Sequence, residues 1–99
     1  MSQTLYDAYQ LVQGGGNVIA IAVGEASQAV TKTKVYILTT NTDCFVRFHA
    51  STAVAATDGN FDIFLPAGGS AILTATDTLL RVIRDTADGT LGFSEVARI

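Results

Sequence analysis

The side chains best suited to chemistry in this chain are its one cysteine, Cys44, and its one histidine, His49. A Cys–His pair makes a thiolate nucleophile and its base when the two side chains meet. These two are five residues apart. An odd spacing on a strand points side chains to opposite faces, so a dyad within one strand is excluded and Cys44 reads as a small buried apolar residue. A structural zinc site asks for about four Cys or His ligands, and the chain offers these two. Asp58-Gly59-Asn60-Phe61-Asp62 begins as a calcium loop does, with oxygen donors at alternate positions. Its sixth position is Ile63 where glycine is required and its twelfth is Gly69 where glutamate is required, so it reads as a turn entering a strand. Gly14-Gly15-Gly16-Asn17 lacks the Gly-Lys-Ser/Thr of a phosphate loop and reads as a hinge. The carboxylates Asp7, Glu25, Asp43, Asp58, Asp62, Asp77, Asp85, Asp88 and Glu95 fall mostly at predicted turns, where such side chains bond local backbone. No cofactor or metal is expected, and no enzymatic constellation emerges.

Arginines are the more telling residues. Arg47, Arg81 and Arg84 lie inside predicted strands and face either solvent or another subunit. Arg suits bidentate pairing with carboxylates at interfaces. Phe45 shares a strand face with Arg47, and an aromatic beside an arginine favours contact over solvent.

The elements that must position these residues are strands. Val, Ile and Thr are abundant and turn residues recur at short intervals. The pattern predicts strands over residues 18–23, 27–32, 34–40, 44–50, 61–65, 70–75, 79–84 and 90–98. In 44–50, Cys44, Val46 and Phe48 share one face, and Phe45, Arg47 and His49 the other. Residues 51–60 read as a long surface loop. Asp88-Gly89 is the strongest hairpin signal and joins 79–84 to 90–98. Short connections imply that sheet neighbours are mostly sequence neighbours. Seven or eight strands at roughly ten-residue spacing predict an all-β fold, a single β-sandwich or small barrel of jelly-roll or Greek-key type, with an Ig-like order as the alternative. The predicted layout is an N-terminal arm and glycine hinge over residues 1–17, followed by a β-domain over 18–99.

Composition narrows the function. The chain has 99 residues, 48% hydrophobic and 15% charged, with a formal charge of −3. That length supports one core, and the apolar content is too high for disorder. An acidic balance argues against a nucleic-acid partner. A lone cysteine allows no internal disulfide, and a domain of about 100 residues without one must pack well or share its core with copies of itself. The start carries no signal-peptide pattern, and the longest apolar run, residues 18–23, is far short of the roughly 20 a membrane helix needs. Asn17, Asn41 and Asn60 all lack the hydroxyl residue of a glycosylation acceptor. The expectation is a protein made in the cytoplasm, unprocessed and with no membrane partner.

Three stretches occur in a telling order: Asp43-Cys44-Phe45-Val46-Arg47-Phe48, then Ile63-Phe64-Leu65-Pro66-Ala67-Gly68, then Asp88-Gly89-Thr90-Leu91-Gly92-Phe93-Ser94-Glu95. Between the last two runs the apolar segment Leu79-Leu80-Arg81-Val82-Ile83-Arg84. In order and spacing, over roughly residues 35–98, the chain resembles a family of small tailed-bacteriophage virion proteins. It departs from that pattern at Gly69-Ser70, where bulkier residues are commoner, and residues 1–33 align with none of its motifs. The resemblance implies a structural role on the particle, foremost a head decoration (cement) protein. Such proteins often form trimers that bridge neighbouring major capsid proteins, on a virion assembled in the host cytoplasm. The chain layout, not the resemblance, suggests Tyr6, Tyr9 and Leu11 of the arm as shell anchors, beside Phe45, Arg47 and Arg81 as contact residues. A tail or head–tail adaptor component is the alternative. A glycan-binding sandwich is a third reading, weakened by the absence of Trp and the scatter of Tyr6, Tyr9 and Tyr36.

Overall fold

Alternation of apolar and polar residues builds strands that bury one face each, and two such sheets cover each other's apolar sides. The computed structural model describes residues 9–50 and 61–98, with the backbone alone at 9–13, 15 and 98. Among these residues the elements are β1 (Tyr9–Ile21), β2 (Ala26–Ala29), β3 (Val35–Thr40), β4 (Cys44–Phe48), β5 (Ile63–Leu65), β6 (Ser70–Thr74), β7 (Leu79–Arg84) and β8 (Gly89–Arg98). No helix occurs among the described residues.

Pairing is antiparallel and nested. β1 pairs with β8, β2 with β7, β3 with β6, and β4 with β5. The chain is thus one long hairpin, with its tip between β4 and β5, rolled up so that β8 also meets β3 and β7 also meets β4. The resulting sheets, ordered β1-β8-β3-β6 and β2-β7-β4-β5, have the jelly-roll arrangement rather than the Ig-like one.

Two sequence expectations are corrected by this topology. Only β4 and β5 are sequence neighbours that pair. The Asp88-Gly89 turn does not close a hairpin: β7 and β8 belong to different sheets, and the turn carries the chain across. A turn signal fixes local backbone geometry and says nothing about which sheet receives the next strand.

The expected break at Gly14–Asn17 also differs. β1 runs through it, paired with β8 as Leu11↔Val96 before the glycines and Gly16↔Ser94 after them. The register shift between these pairs marks a bulge that holds the extra residues. Gly14 sits there with φ +73°, a conformation glycine adopts without the Cβ penalty. Residues 9–17 therefore belong to the sandwich, and of the expected arm residues 1–8 lie outside the described residues.

The core lies between the sheets. Ile19, Ile21, Leu38, Leu91 and Phe93 from the first sheet meet Val46, Phe48, Leu65, Leu80 and Val82 from the second, all buried. Tyr36 packs edge-on against Phe93 with centroids 6.0 Å apart, and its hydroxyl accepts the Thr31 N–H at 2.8 Å. Burying such side chains stabilises by roughly 1.5–3 kcal/mol each before entropy is counted.

Candidate functional site

The motif stretches come together at one end of the sandwich, where each polar group bonds a neighbouring loop. The Asp43 carboxylate accepts the Ala67 N–H at 2.7 Å, tying the start of β4 to the Pro66-Ala67-Gly68 turn. Asn41 Oδ1 accepts the Thr90 N–H at 2.8 Å, and Thr42 Oγ1 donates to the Ala87 carbonyl at 3.1 Å. The Thr40 carbonyl accepts the Gly68 N–H at 2.9 Å. These motif residues therefore hold three connections in register, and their contact capacity is used inside the chain.

The outward face of the second sheet is different. Register places Phe45 beside both Ile83 and Phe64, and Arg47 directly beside Arg81. Phe45 is half-buried under two neighbours, with its ring 4.9 Å from Phe61 and 5.2 Å from Phe64. Phe61 is 40% exposed and Phe64 38%, so the cluster presents two aromatic rings to the outside. Three aromatics at the surface of a chain with 8% aromatic residues form a contact patch of the kind that dominates binding energy.

The two arginines have opposite fates. Arg81 is 1% exposed. Its Nη1 forms an ion pair with Glu25, its Nε donates to the His49 carbonyl at 2.6 Å, and its Nη2 donates to the Ala50 carbonyl at 3.1 Å. The expectation that Arg81 meets solvent or another subunit is therefore corrected: its donors bond inside the protomer. Arg47 is half-buried, and its Nη1 is buried with no hydrogen-bond partner among the described residues. Leaving a buried guanidinium N–H without an acceptor is unfavourable. The Arg47–Arg81 pairing adds like-charge repulsion, which Glu25 offsets on the Arg81 side only.

Of the other expected contact residues, Tyr6 lies outside the described residues, and Tyr9 and Leu11 are described by backbone alone within β1. Phe61, Phe64 and Glu25 are the members that sequence reasoning missed. The β4–β5 register places Phe64, and Phe61 and Glu25 lie just before β5 and β2, where no local pattern reveals their neighbours.

Cys44 and His49 separate as their spacing requires. Cys44 is fully buried on the inner face, and His49 is half-buried past the end of β4. Burial pushes the Cys44 thiol above its ordinary pKa, with the Asp43 charge adding to the effect and a hydrogen bond to Thr40 opposing it. The unfolded thiol ionises near pH 8.5 while the native one keeps its proton. Stability is thus expected to fall as pH rises above about 8.5, by up to ~1.4 kcal/mol per pH unit, until the native thiol ionises too. Urea titrations between pH 7 and 10 should show this slope, and Cys44→Ala should flatten it. At the β6–β7 turn, backbone hydrogen bonds from Thr78 and then Ala50 hold the Asp77 carboxyl below its ordinary range.

A surface groove lies elsewhere, on the outward face of the first sheet, and its lining, which includes Val18, Ile37, Thr39, Gly92 and Ser94, carries no titratable group among the described residues. What the described side chains assemble on the second sheet is an aromatic cluster with two exposed rings, beside a half-buried arginine. Comparison of the chain with protein-family models, with curated proteins and with solved structures gives no match.

Proposed function

We propose that this chain is a structural virion protein of a tailed bacteriophage, a capsid decoration protein that binds the outer head surface as a homotrimer and stabilises contacts between major capsid proteins. The observation that carries the contact reading is the outward patch of Phe45, Phe61 and Phe64 beside the unpartnered Nη1 of Arg47. The sequence resemblance supplies the virion setting, and a jelly-roll sandwich supplies two broad faces on a rigid body. Binding proceeds by burial of aromatic area, chiefly the exposed Phe61 and Phe64 rings. No covalent step is involved, and the head is clamped by the sum of many such contacts.

Co-sedimentation with expanded phage heads stripped of their own decoration protein tests the proposal. The wild type should bind saturably. Phe64→Ser and Arg47→Met should each weaken binding by roughly tenfold or more, while circular dichroism stays that of the wild type. Binding to purified tails and not to heads would replace this reading with that of a tail or adaptor component. Wild-type-like binding by both variants would remove the patch from the interface.

A further inference from the structure

Alternation along β1, β8, β3 and β6 fixes which residues of the first sheet point away from the core. The outward positions hold Val18, Val35, Ile37, Ile72 and Val96, the last only 6% exposed, among alanine, glycine, serine and threonine, and no charged side chain stands among the described ones. The charge of the described chain lies elsewhere: on the outward face of the second sheet, at the turns, and at Glu95, which shares Tyr36's inward face. Within the uncharged face, Gly92 lies between Val18 of β1 and Thr39 of β3. Small residues there leave a trough along β8, and Val18, 63% exposed, forms its lip.

We infer that this face is where copies of the chain meet one another around a rotation axis. Near such an axis a residue faces its own equivalent, so any charge meets a like charge. A chain of net charge −3 carries a net repulsion for its copy, and this sheet face adds no charged side chain to it among the described residues. The same lack of charge gives nucleic acid or an anionic membrane nothing to hold. Lip and trough lie side by side, so the Val18 ridge of one copy can enter the Gly92 trough of the next. The inference gives the self-association named above its surface. It rests on that part of the reading alone and leaves the Phe45–Arg47 face open to another partner.

Sedimentation velocity of the full chain across a range of concentrations is the test, with Val18→Glu and Thr39→Glu as variants. Val18 and Thr39 are exposed in the protomer, so the charges need not disturb folding, which circular dichroism verifies. The wild type should assemble with a defined stoichiometry. Each glutamate variant should weaken assembly by about 100-fold or more. Glutamate variants that assemble like the wild type overturn the inference, as does a wild type that stays monomeric at millimolar concentration, even one that binds heads. Assembly that is lost in the glutamate variants, in a protein that binds no heads, upholds this face and overturns the decoration reading instead.

Discussion

Gly89→Ala is expected to lower stability by about 3 kcal/mol, although it adds a single methyl group at a surface turn. An ideal Cβ at Gly89 would lie 2.3 Å from Asn41 Oδ1, 2.6 Å from Thr42 Cγ2 and 2.9 Å from Thr42 Cβ. Asn41 can swing aside only by releasing the Thr90 N–H, and Thr42 is stiff at Cβ and bonded to the Ala87 carbonyl. The methyl thus costs steric strain and at least one hydrogen bond. For a domain of this size such a loss lowers the melting temperature by roughly 12–24 °C. Gly24→Ala is the control, because nothing lies within 4 Å of its Cβ. That substitution should be neutral or stabilise by a few tenths of a kcal/mol through the unfolded chain. Asn41→Gly in the Gly89→Ala background should recover part of the loss by opening space. If Gly89→Ala and Gly24→Ala melt within 2 °C of each other, the close packing of this turn does not govern stability.

The same turn shows where sequence reasoning stops. Strand positions were legible because period-two patterns and turn residues are local. The inward set Cys44, Val46 and Phe48 and the outward pair Phe45 and Arg47 followed from alternation alone, and the structure has them so. Pairing was not legible. Asp88-Gly89 has the composition of a hairpin, but β8 is drawn to the other sheet by contacts with β1 and β3 far away in the chain. Three consecutive glycines marked a break, yet a bulge accommodates them because β8 offers partners on both sides. At the candidate site, Phe45 and Arg47 could be read as a contact pair, while the Phe64 and Phe61 rings that complete the patch come from across the β4–β5 register. Arg81 looked the equal of Arg47 because both are strand arginines. What separates them is Glu25, 56 residues away, and two backbone carbonyls that no side-chain pattern announces.

That difference gives the second large effect. Glu25→Leu is expected to destabilise by roughly 2–4 kcal/mol, because it leaves the Arg81 guanidinium buried with neutral carbonyls and no counter-charge. The estimate stands below the usual range for a broken buried pair because the Glu25 side chain is 18% exposed, which lets water reach the site. Arg81→Met should cost less, about 1–3 kcal/mol: it frees the His49 and Ala50 carbonyls, while the Glu25 carboxylate keeps access to solvent. The double variant Glu25→Leu/Arg81→Met removes both charges together and should be more stable than Glu25→Leu alone. A double-mutant cycle by urea denaturation should therefore give a coupling of at least about 1.5 kcal/mol. Additivity within 0.5 kcal/mol would mean that Arg81 is held by the two carbonyls and that Glu25 is incidental. Salt separates this pair from the Arg84–Asp88 bridge, whose members are 32% and 70% exposed. The surface bridge should contribute less than about 1 kcal/mol and fade in 1 M NaCl, whereas the penalty of Glu25→Leu should persist. If it does, the two arginines paired on the outward face of the second sheet differ in kind: Arg81 is neutralised by Glu25, and Arg47 has no ion pair among the described residues.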